Sequence, residues 1–599
     1  MIPKTIMRLL YVVLSVVGVT VAVVVVRHAS AQMAPATTQT IDRTRLEIVE
    51  DLSESLANDL LELSIATRDR DAKLTAEFFP RSLISSPFLC RPLAVKNDVK
   101  WIGTHGWSAE AMTASPIAAG RLNAHGAGET DQPSEMSREE FMRDWLVFLD
   151  HFSEIEDARF KVKAAAFDDH ASSIAKAKVP TAMVGSKGHA RVAFYVIGRN
   201  TDGHREWARG VVDIDVRYAE TKRWQFEKFA LVSLDSMVAT TDLFSEDSKP
   251  AGVSAPIPAY GSPGNTGFIW HGAAAADLNR DGFVDLFATG ADRNYLYLND
   301  GHGKFRDASA EAAVRFLASG SAPLFLDYDN DGDEDVFISA NGRQILLENR
   351  LIPDGKLEFR DVSLEAGVAV EAIGFSAVAG DVNGDACPDI YVTSYNRYGQ
   401  VTPDSWFRAT NGTPNLLFIN QRNGTFKEEA KKWGVDDHRW SYAAAFADVN
   451  GDGRQDLYVA NDFGEKAMFI NKGDHFVDEA KQRGVLDPGN GMGVSFGDYD
   501  NDGLLDLHAT NMSSTAGNRI LSRLFPNSSP RDNVFKKLAA GNNLFENTGD
   551  GHYRDVTADV GGFSGGWAWG GGFIDFDNDG WEDIYTPNGF ISGKSMKDT

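Results

Sequence analysis

The chain has 599 residues, 43% of them apolar, with 59 basic and 85 acidic residues and a net charge of −26. That length exceeds one ordinary hydrophobic core, so at least two domains are expected, and the apolar fraction excludes wholesale disorder. The charge argues against nucleic-acid binding, which needs Lys and Arg against phosphates, and two cysteines exclude a disulfide framework or a four-thiolate zinc site.

Residues 9–26 form an uncharged apolar run preceded by Lys4 and Arg8 and followed by Ala29, Ser30 and Ala31. A positive flank, an apolar stretch and a small-residue cleavage site are the layout of a secretory signal. The run is also just long enough to span a bilayer, so residues 1–31 read as either a cleaved signal or an uncleaved anchor. Both place the rest of the chain outside the cytoplasm: periplasmic, at the cell surface or secreted. Residues 32–40 lack periodicity and read as a linker.

Residues 41–238 read as an α+β domain. Val49, Leu52, Leu56, Leu60 and Leu63 recur at helical spacing. A second helix starts at Ser137, which forms a capping-box pattern with Glu140, and its apolar face is Phe141, Trp145, Phe148, Leu149 and Phe152. The period then becomes two: Phe160 and Val162, Val192 to Val196, Val212 to Val216, and Trp224 to Leu231. Helices followed by a meander of long strands resemble the NTF2-like (SnoaL-like) cone fold, some members of which enclose a ligand pocket. Asp150 and His151 could be an acid/base pair, but neighbours on a helix point apart, which favours unrelated surface polar groups.

The second half repeats. Six nine-residue segments share Asp-x-[Asp/Asn]-x-Asp-Gly-x-x-Asp, beginning at residues 277, 327, 381, 448, 498 and 575, with Ala386 in place of Gly in the third. Each is followed by a short β-type run. A second element, an aromatic-led tail such as FRDVSLEAGV, begins at 305, 359, 426, 476 and 553, with a sixth copy at 244. The step from tail to next loop is 22 residues in five cases (305 to 327, 359 to 381, 426 to 448, 476 to 498, 553 to 575). The step from loop to tail varies as 28, 32, 45, 28 and 55. A fixed segment alternating with a variable one, with about four short strands per unit, is the pattern of propeller blades. Six blades, or seven, are expected. The tail at 244 would complete the last blade, whose third strand either lies in 588–599 or is missing because the chain is truncated.

The first, third, fifth and ninth side chains and the seventh carbonyl offer only oxygen, which suits Ca²⁺ over softer metals or Mg²⁺. The expected ligands are Asp277, Asn279, Asp281 and Asp285; Asp327, Asp329, Asp331 and Asp335; Asp381, Asn383, Asp385 and Asp389; Asp448, Asn450, Asp452 and Asp456; Asp498, Asp500, Asp502 and Asp506; and Asp575, Asp577, Asp579 and Asp583. Up to six Ca²⁺ would offset twelve of the 26 negative charges. An EF-hand loop starts alike but ends in Glu at its twelfth position between helices, whereas here Asp closes at nine and strands follow. Ala386 and Cys387 make the third loop a candidate for a distorted or weak site. Cys387 is expected to be an inert thiol and Cys90 a buried apolar residue.

These loops, with phrases such as DLYVANDFG (456–464) and NLLFINQRNGTF (415–426), resemble the FG-GAP/VCBS-repeat family, which includes the integrin-α propeller and cartilage-acidic-protein-like secreted proteins. The resemblance covers residues 242–599. It implies a calcium-binding β-propeller and a role in extracellular adhesion or in binding a protein or glycan ligand. Many relatives continue into an ASPIC/UnbV-type domain that has no counterpart here. No nucleophile elbow, phosphate-binding loop or HExxH zinc motif is present, so the leading expectation is a non-catalytic binding module. The alternatives are a purely structural envelope protein, or an extracytoplasmic enzyme with its pocket in the cone or on the propeller axis, where Trp567, Trp569 and Trp581 could line a sugar or quinone surface. The two long loop-to-tail inserts are expected on one face, carrying Tyr395, Tyr398, Trp406 and Phe407 in the third repeat, and Asn511, Arg519, Arg523, Phe525 and Arg531 in the fifth. They would either form an exposed binding surface or pack on each other.

Overall fold

The computed structural model describes residues 43–86, 93–95, 102–107, 133–168, 184–242, 244–254, 272–290, 293–315, 320–397, 400–528, 533–560 and 566–587. The signal or anchor segment, Cys90, Tyr398, Arg531 and residues 588–599 lie outside them. Among the described residues no helix is long and apolar enough to cross a membrane.

Helix α1 (Arg43–Arg68) buries a stripe headed by Ile48, with Leu52, Leu56, Leu60 and Leu63 below it. Val49, expected in that stripe, is only half-buried. After the short α2 (Ala72–Ala76), strands β1 (Ser82–Ser85), β2 (Leu93–Val95), β3 (Ile102–Gly106) and β4 (Ser134–Ser137) lead to α3 (Arg138–Leu149). Ser137 caps α3, and both halves of the capping box with Glu140 are present, which satisfies amide donors that the first turn leaves open. Phe152, expected on the same helix, instead begins a strand, because α3 stops at the Asp150 cap.

Four long antiparallel strands follow: β5 (Phe152–Phe167), β6 (Lys187–Asn200), β7 (Arg205–Tyr218) and β8 (Trp224–Ala239). The sheet runs β2-β3-β8-β7-β6-β5, with β1 joining β8 in parallel and β4 pairing β1. Register puts Phe160 opposite Phe194, Val192 opposite Val212 and Ile214 opposite Phe229, so one face of the meander is apolar. That face closes on α1 and α3 in a single core that includes Trp107, Trp145, Phe148 and Trp224.

From residue 273 the chain builds small antiparallel sheets. The first four-stranded set is Ala273–Ala276, Asp285–Ala288, Tyr295–Asn299 and Phe305–Asp307. The same order recurs in the second to fifth sets, whose first strands are Gly320–Leu326, Glu371–Gly380, Trp440–Ala447 and Gly491–Gly497. A last pair, Gly572–Ile574 and Asp583–Tyr585, flanks the sixth acidic loop. First strands of successive sets lie side by side, and at three junctions the tail of the later set donates a hydrogen bond back to the tail before it: Phe359 N–H to Ala312 O (2.9 Å), Phe426 N–H to Ala366 O (2.7 Å) and Tyr553 N–H to Arg483 O (2.8 Å). Several tail glycines lie where a side chain could not. A Cβ on Gly484 would meet Tyr553 O at 2.4 Å, and one on Gly252 would meet Phe305 O at 2.6 Å. Thus the 244–253 tail sits against the first sheet's tail as each tail sits against its successor. Its Phe244 ring lies 6.2 Å from Phe576 and 6.4 Å from Tyr585, beside the last pair.

The inserts differ from the exposed-hot-spot expectation. In the third repeat Tyr395 is buried among Phe375 and Trp440, and Trp406 meets Phe463 edge-on. The fifth-repeat insert holds helices α4 (Thr515–Leu524) and α5 (Val534–Ala540). Phe407 of one insert meets Phe535 of the other, which stacks on Phe525 at 5.9 Å. Arg519 and Arg523 are not offered to solvent. Both pair with Glu50 of α1 (2.8 Å for Arg523), and Arg523 also donates to Ser53 Oγ and to Ala165 O of β5. Glu50 is buried, and burial lowers the Arg523 guanidinium from its ordinary value against the pull of that carboxylate. The arginines therefore join the N-terminal domain to the array.

Candidate metal centres in the repeat loops

Every acidic loop folds by the same bonds. The fifth and sixth amides donate to the two oxygens of the first aspartate: Asp281 and Gly282 to Asp277 at 3.0 and 2.9 Å, and likewise through Asp579 and Gly580 to Asp575. The seventh amide donates to Oδ1 of the fifth aspartate in all six. This wrapping holds the oxygen-bearing side chains of the first, third, fifth and ninth positions, aspartate except at Asn279, Asn383 and Asn450, within a span of nine residues. It requires left-handed backbone at two positions. The sixth is Gly in five loops (φ 81 to 99), and the fourth is Gly384, Gly451, Asn330, Asn501, Asn578 or Arg280, at φ 56 to 74. The need at the fourth position was readable from its Asn and Gly but was missed.

The third loop is not distorted. Ala386 adopts φ 64, its amide reaches Asp381 at 2.8 Å, and Cys387 N–H reaches Asp385 at 3.0 Å, as in the other five. Holding an alanine there costs about 1 kcal/mol rather than the loop geometry. Cys387 is buried and its Sγ accepts from Asn330 Nδ2 at 3.3 Å.

The ninth aspartate is the deepest. Asp285, Asp335, Asp389, Asp456 and Asp506 are at most 1% exposed. One oxygen takes the second residue's amide, at 3.0 to 3.3 Å, and the other takes the amide of an asparagine ending the third strand, at 2.8 Å in all five cases. Those asparagines, Asn299, Asn349, Asn420, Asn471 and Asn547, were not singled out from the sequence, although each closes a third-strand run. Burial, with the neighbouring carboxylates adding to it, pushes Asp335 up to about 9, Asp389 and Asp506 to about 7, and Asp456 to about 6. Asp285 and Asp583 move the same way. Carboxylates in such a setting favour a nearby positive charge.

A divalent cation fits the residues present. In the second, fifth and sixth loops, single oxygens of Asp327, Asp329 and Asp335, of Asp498, Asp500 and Asp506, and of Asp575, Asp577 and Asp579 lie within 4.8 Å of one another. The first, third and fourth loops carry Asn279, Asn383 and Asn450 at the third position, so fewer carboxylates converge there. Asp500 Oδ1 and Asp577 Oδ1 are buried without a hydrogen-bond partner among the described residues. A cation would supply what those oxygens lack.

The remaining candidates do not converge on chemistry. Asp150 pairs with Arg70 and His151 with Glu206 (2.7 Å), so the two neighbours face different partners. Glu206 is buried and also accepts from Asn200 and Ser236, which makes it a satisfied core group. Trp567 and Trp569 contact each other and Trp569 contacts Tyr442, while Trp581 stands exposed at the seventh position of the sixth loop.

The FG-GAP-like repeat family matches residues 277–338, 327–392, 403–459 and 448–509. Cartilage acidic protein 1 of Mus musculus is 26% identical over 229 residues, which is 34% of this chain and 33% of that protein. The Homo sapiens protein is 25% identical over 229 residues, 34% of this chain and 32% of that one. The match thus spans about a third of the length of these curated relatives. Among solved structures, an Agrocybe aegerita lectin that recognises non-reducing terminal N-acetylglucosamine aligns with 67% of this chain and 85% of its own, at 14% identity and a TM-score of 0.29. The putative scytalone dehydratase of Novosphingobium aromaticivorans aligns with 33% of this chain and 98% of its own, at 11% identity and a TM-score of 0.19. Neither structural likeness is strong enough to carry an argument. The six loops and the family match agree on one assignment: this chain carries FG-GAP-like repeats and is homologous to cartilage acidic protein 1.

Proposed function

We propose that the protein is an exported, calcium-stabilised β-propeller that works as a non-catalytic binding or adhesion module outside the cytoplasm, preceded by an NTF2-like domain. The observation that carries this reading is the sixfold recurrence of one oxygen-only loop, in five copies with a closing aspartate at most 1% exposed. The first, third, fifth and ninth side chains of each loop would hold calcium, which when bound would neutralise carboxylates that otherwise repel. The chain's own contribution is to fix those carboxylates by backbone amides before the ion arrives. Homology to cartilage acidic protein 1 and the apolar run at 9–26 favour an extracytoplasmic location, with a protein or glycan as ligand. The 244–253 tail beside the last strand pair favours a ring of six blades closed by that tail. The long meander over two helices supports the NTF2-like reading, and its core is filled by aromatic side chains.

The test is calorimetric titration of the EGTA-stripped protein with CaCl₂ and, separately, MgCl₂. Saturable calcium binding at several sites, with magnesium much weaker, is expected. An absence of calcium binding at millimolar concentration rejects the proposal.

A further inference from the structure

The asparagine that ends each third strand does more than donate its amide to its own closing aspartate. In Asn349, Asn420, Asn471 and Asn547 the side-chain Nδ2 donates twice. One bond goes to the eighth-residue carbonyl of the same loop: Glu334, Pro388, Gln455 or Leu505, at 3.2 to 3.3 Å. The other crosses to the preceding repeat and lands on the carbonyl of its loop's second residue. These bonds are Asn349 to Leu278 O (3.1 Å), Asn420 to Tyr328 O (2.8 Å), Asn471 to Val382 O (2.8 Å) and Asn547 to Val449 O (3.2 Å). The second residue is the one whose own amide binds the closing aspartate of that preceding loop.

The bonds therefore join end to end. A closing aspartate holds the second residue's N–H, the carbonyl of that residue accepts an asparagine from the next repeat, and that asparagine's N–H holds the next closing aspartate. Five closing aspartates, from Asp285 to Asp506, are linked in this way across four junctions. The asparagine uses both ends of its amide, since Oδ1 also accepts an amide two residues on: Leu351, Arg422, Gly473 or Gly549. No other side chain does this: aspartate has no donors, and glutamine carries its amide one methylene further out. At the seam the pattern stops. Asn299 Nδ2 reaches only Val284 O of its own loop (3.0 Å) among the described residues.

We infer that these four asparagines are positioning residues that couple neighbouring cation sites, so that filling one loop pre-orders the closing carboxylate of the next and the ions bind cooperatively along the array. The inference rests on the calcium reading above. The coupling runs through a contiguous set of hydrogen bonds, each member of which is buried or half-buried and unable to exchange freely with water.

The experiment is a CaCl₂ titration of the EGTA-stripped full chain by calorimetry, with the melting temperature followed in parallel. The unaltered chain is expected to saturate with a Hill coefficient of about 1.5 or more. Asn420→Ala, which keeps its backbone bond to Asp389 but cuts the bond to Tyr328 O, should bring the coefficient towards 1 and weaken mean affinity about fivefold, with the number of ions unchanged. Asn471→Ala reports the next junction independently if Asn420→Ala fails to fold. Asn299→Ala, at the seam, should leave the coefficient unchanged. Non-cooperative binding by the unaltered chain overturns the coupling, as do junction variants that titrate like it or an Asn299→Ala effect equal to theirs. No calcium binding by the unaltered chain instead overturns the calcium reading, and the two failures are distinguishable.

Discussion

The two halves of the molecule stabilise themselves in different ways. The N-terminal domain has one continuous apolar core in which α1 and α3 close over a long-stranded sheet. In the array no single core exists among the described residues: each cluster lies between consecutive sheets, from Leu278 with Phe359 at the first junction to Val449 with Tyr553 at the fourth. The first half is sealed mainly by hydrocarbon, with its buried Glu206 satisfied by His151, Asn200 and Ser236, whereas the second places a carboxylate hub at nearly every junction. A buried apolar core is indifferent to ions, but a buried carboxylate hub is not.

Removing calcium should separate the halves most. With EGTA the array's melting transition is expected to fall by about 10 °C or more, while that of the N-terminal domain moves by no more than about 2 °C. Equal shifts in differential scanning calorimetry would dissolve the contrast. The link between the halves comes next. Arg519→Ala with Arg523→Ala strands Glu50 as a buried unpaired charge, at a cost of about 4 kcal/mol, and should split a joined transition in two. Adding Glu50→Gln should recover much of that loss; no recovery would assign the effect to packing.

Within the array, Asp389→Ala and Asp506→Ala should each cost about 3 kcal/mol, because each leaves two buried amides unpaired. A much smaller effect at Asp389 would mean that the third loop is weaker than its bonds imply. Asp462 gives a pH test away from the loops. Burial raises its carboxyl to about 6, although Tyr395 and Asn490 donate to it. Its native pKa is thus above the unfolded value of about 4, so the native state holds the extra proton and stability falls as pH rises from 4 through 6. Asp462→Asn should remove about 2 kcal/mol of that decline, read as the difference between variant and parent in calcium-saturated melts at pH 4 and 7. An unchanged slope would show the group ionised throughout. The smallest effect is Ala386→Gly, expected to stabilise by about 1 kcal/mol in urea denaturation because the backbone there is already left-handed.

The acidic loops were legible because all their ligands fall within nine residues, and the strands after them because each run is short and apolar. The helix starting after Ser137 was legible for the same local reason. The features that escaped are those whose partners are remote. Asn420 meets Tyr328 across 92 positions, and Arg523 meets Glu50 across 473, so neither spacing nor composition announces the pairing. The inserts were readable as unusual, but whether an arginine faces water or a buried glutamate is decided by the other domain. Ala386 misled in the opposite direction: a local departure from pattern was absorbed by backbone strain, and the bonds around it were kept.

The contact of Phe244 with Phe576 and Tyr585 has a kinetic meaning. It brings Phe244 beside the last described strand pair, and closing a loop of that length from a random chain costs on the order of 5 kcal/mol in entropy. Neighbouring sheets are close in sequence and can assemble first, each shortening the gap that remains, so the buckle is the last step to form. By the same reasoning it is the first to open. Hydrogen exchange in the last strand pair should then outpace exchange in the middle sheets, and strengthening this one join should lengthen the lifetime of the folded array more than strengthening any middle sheet.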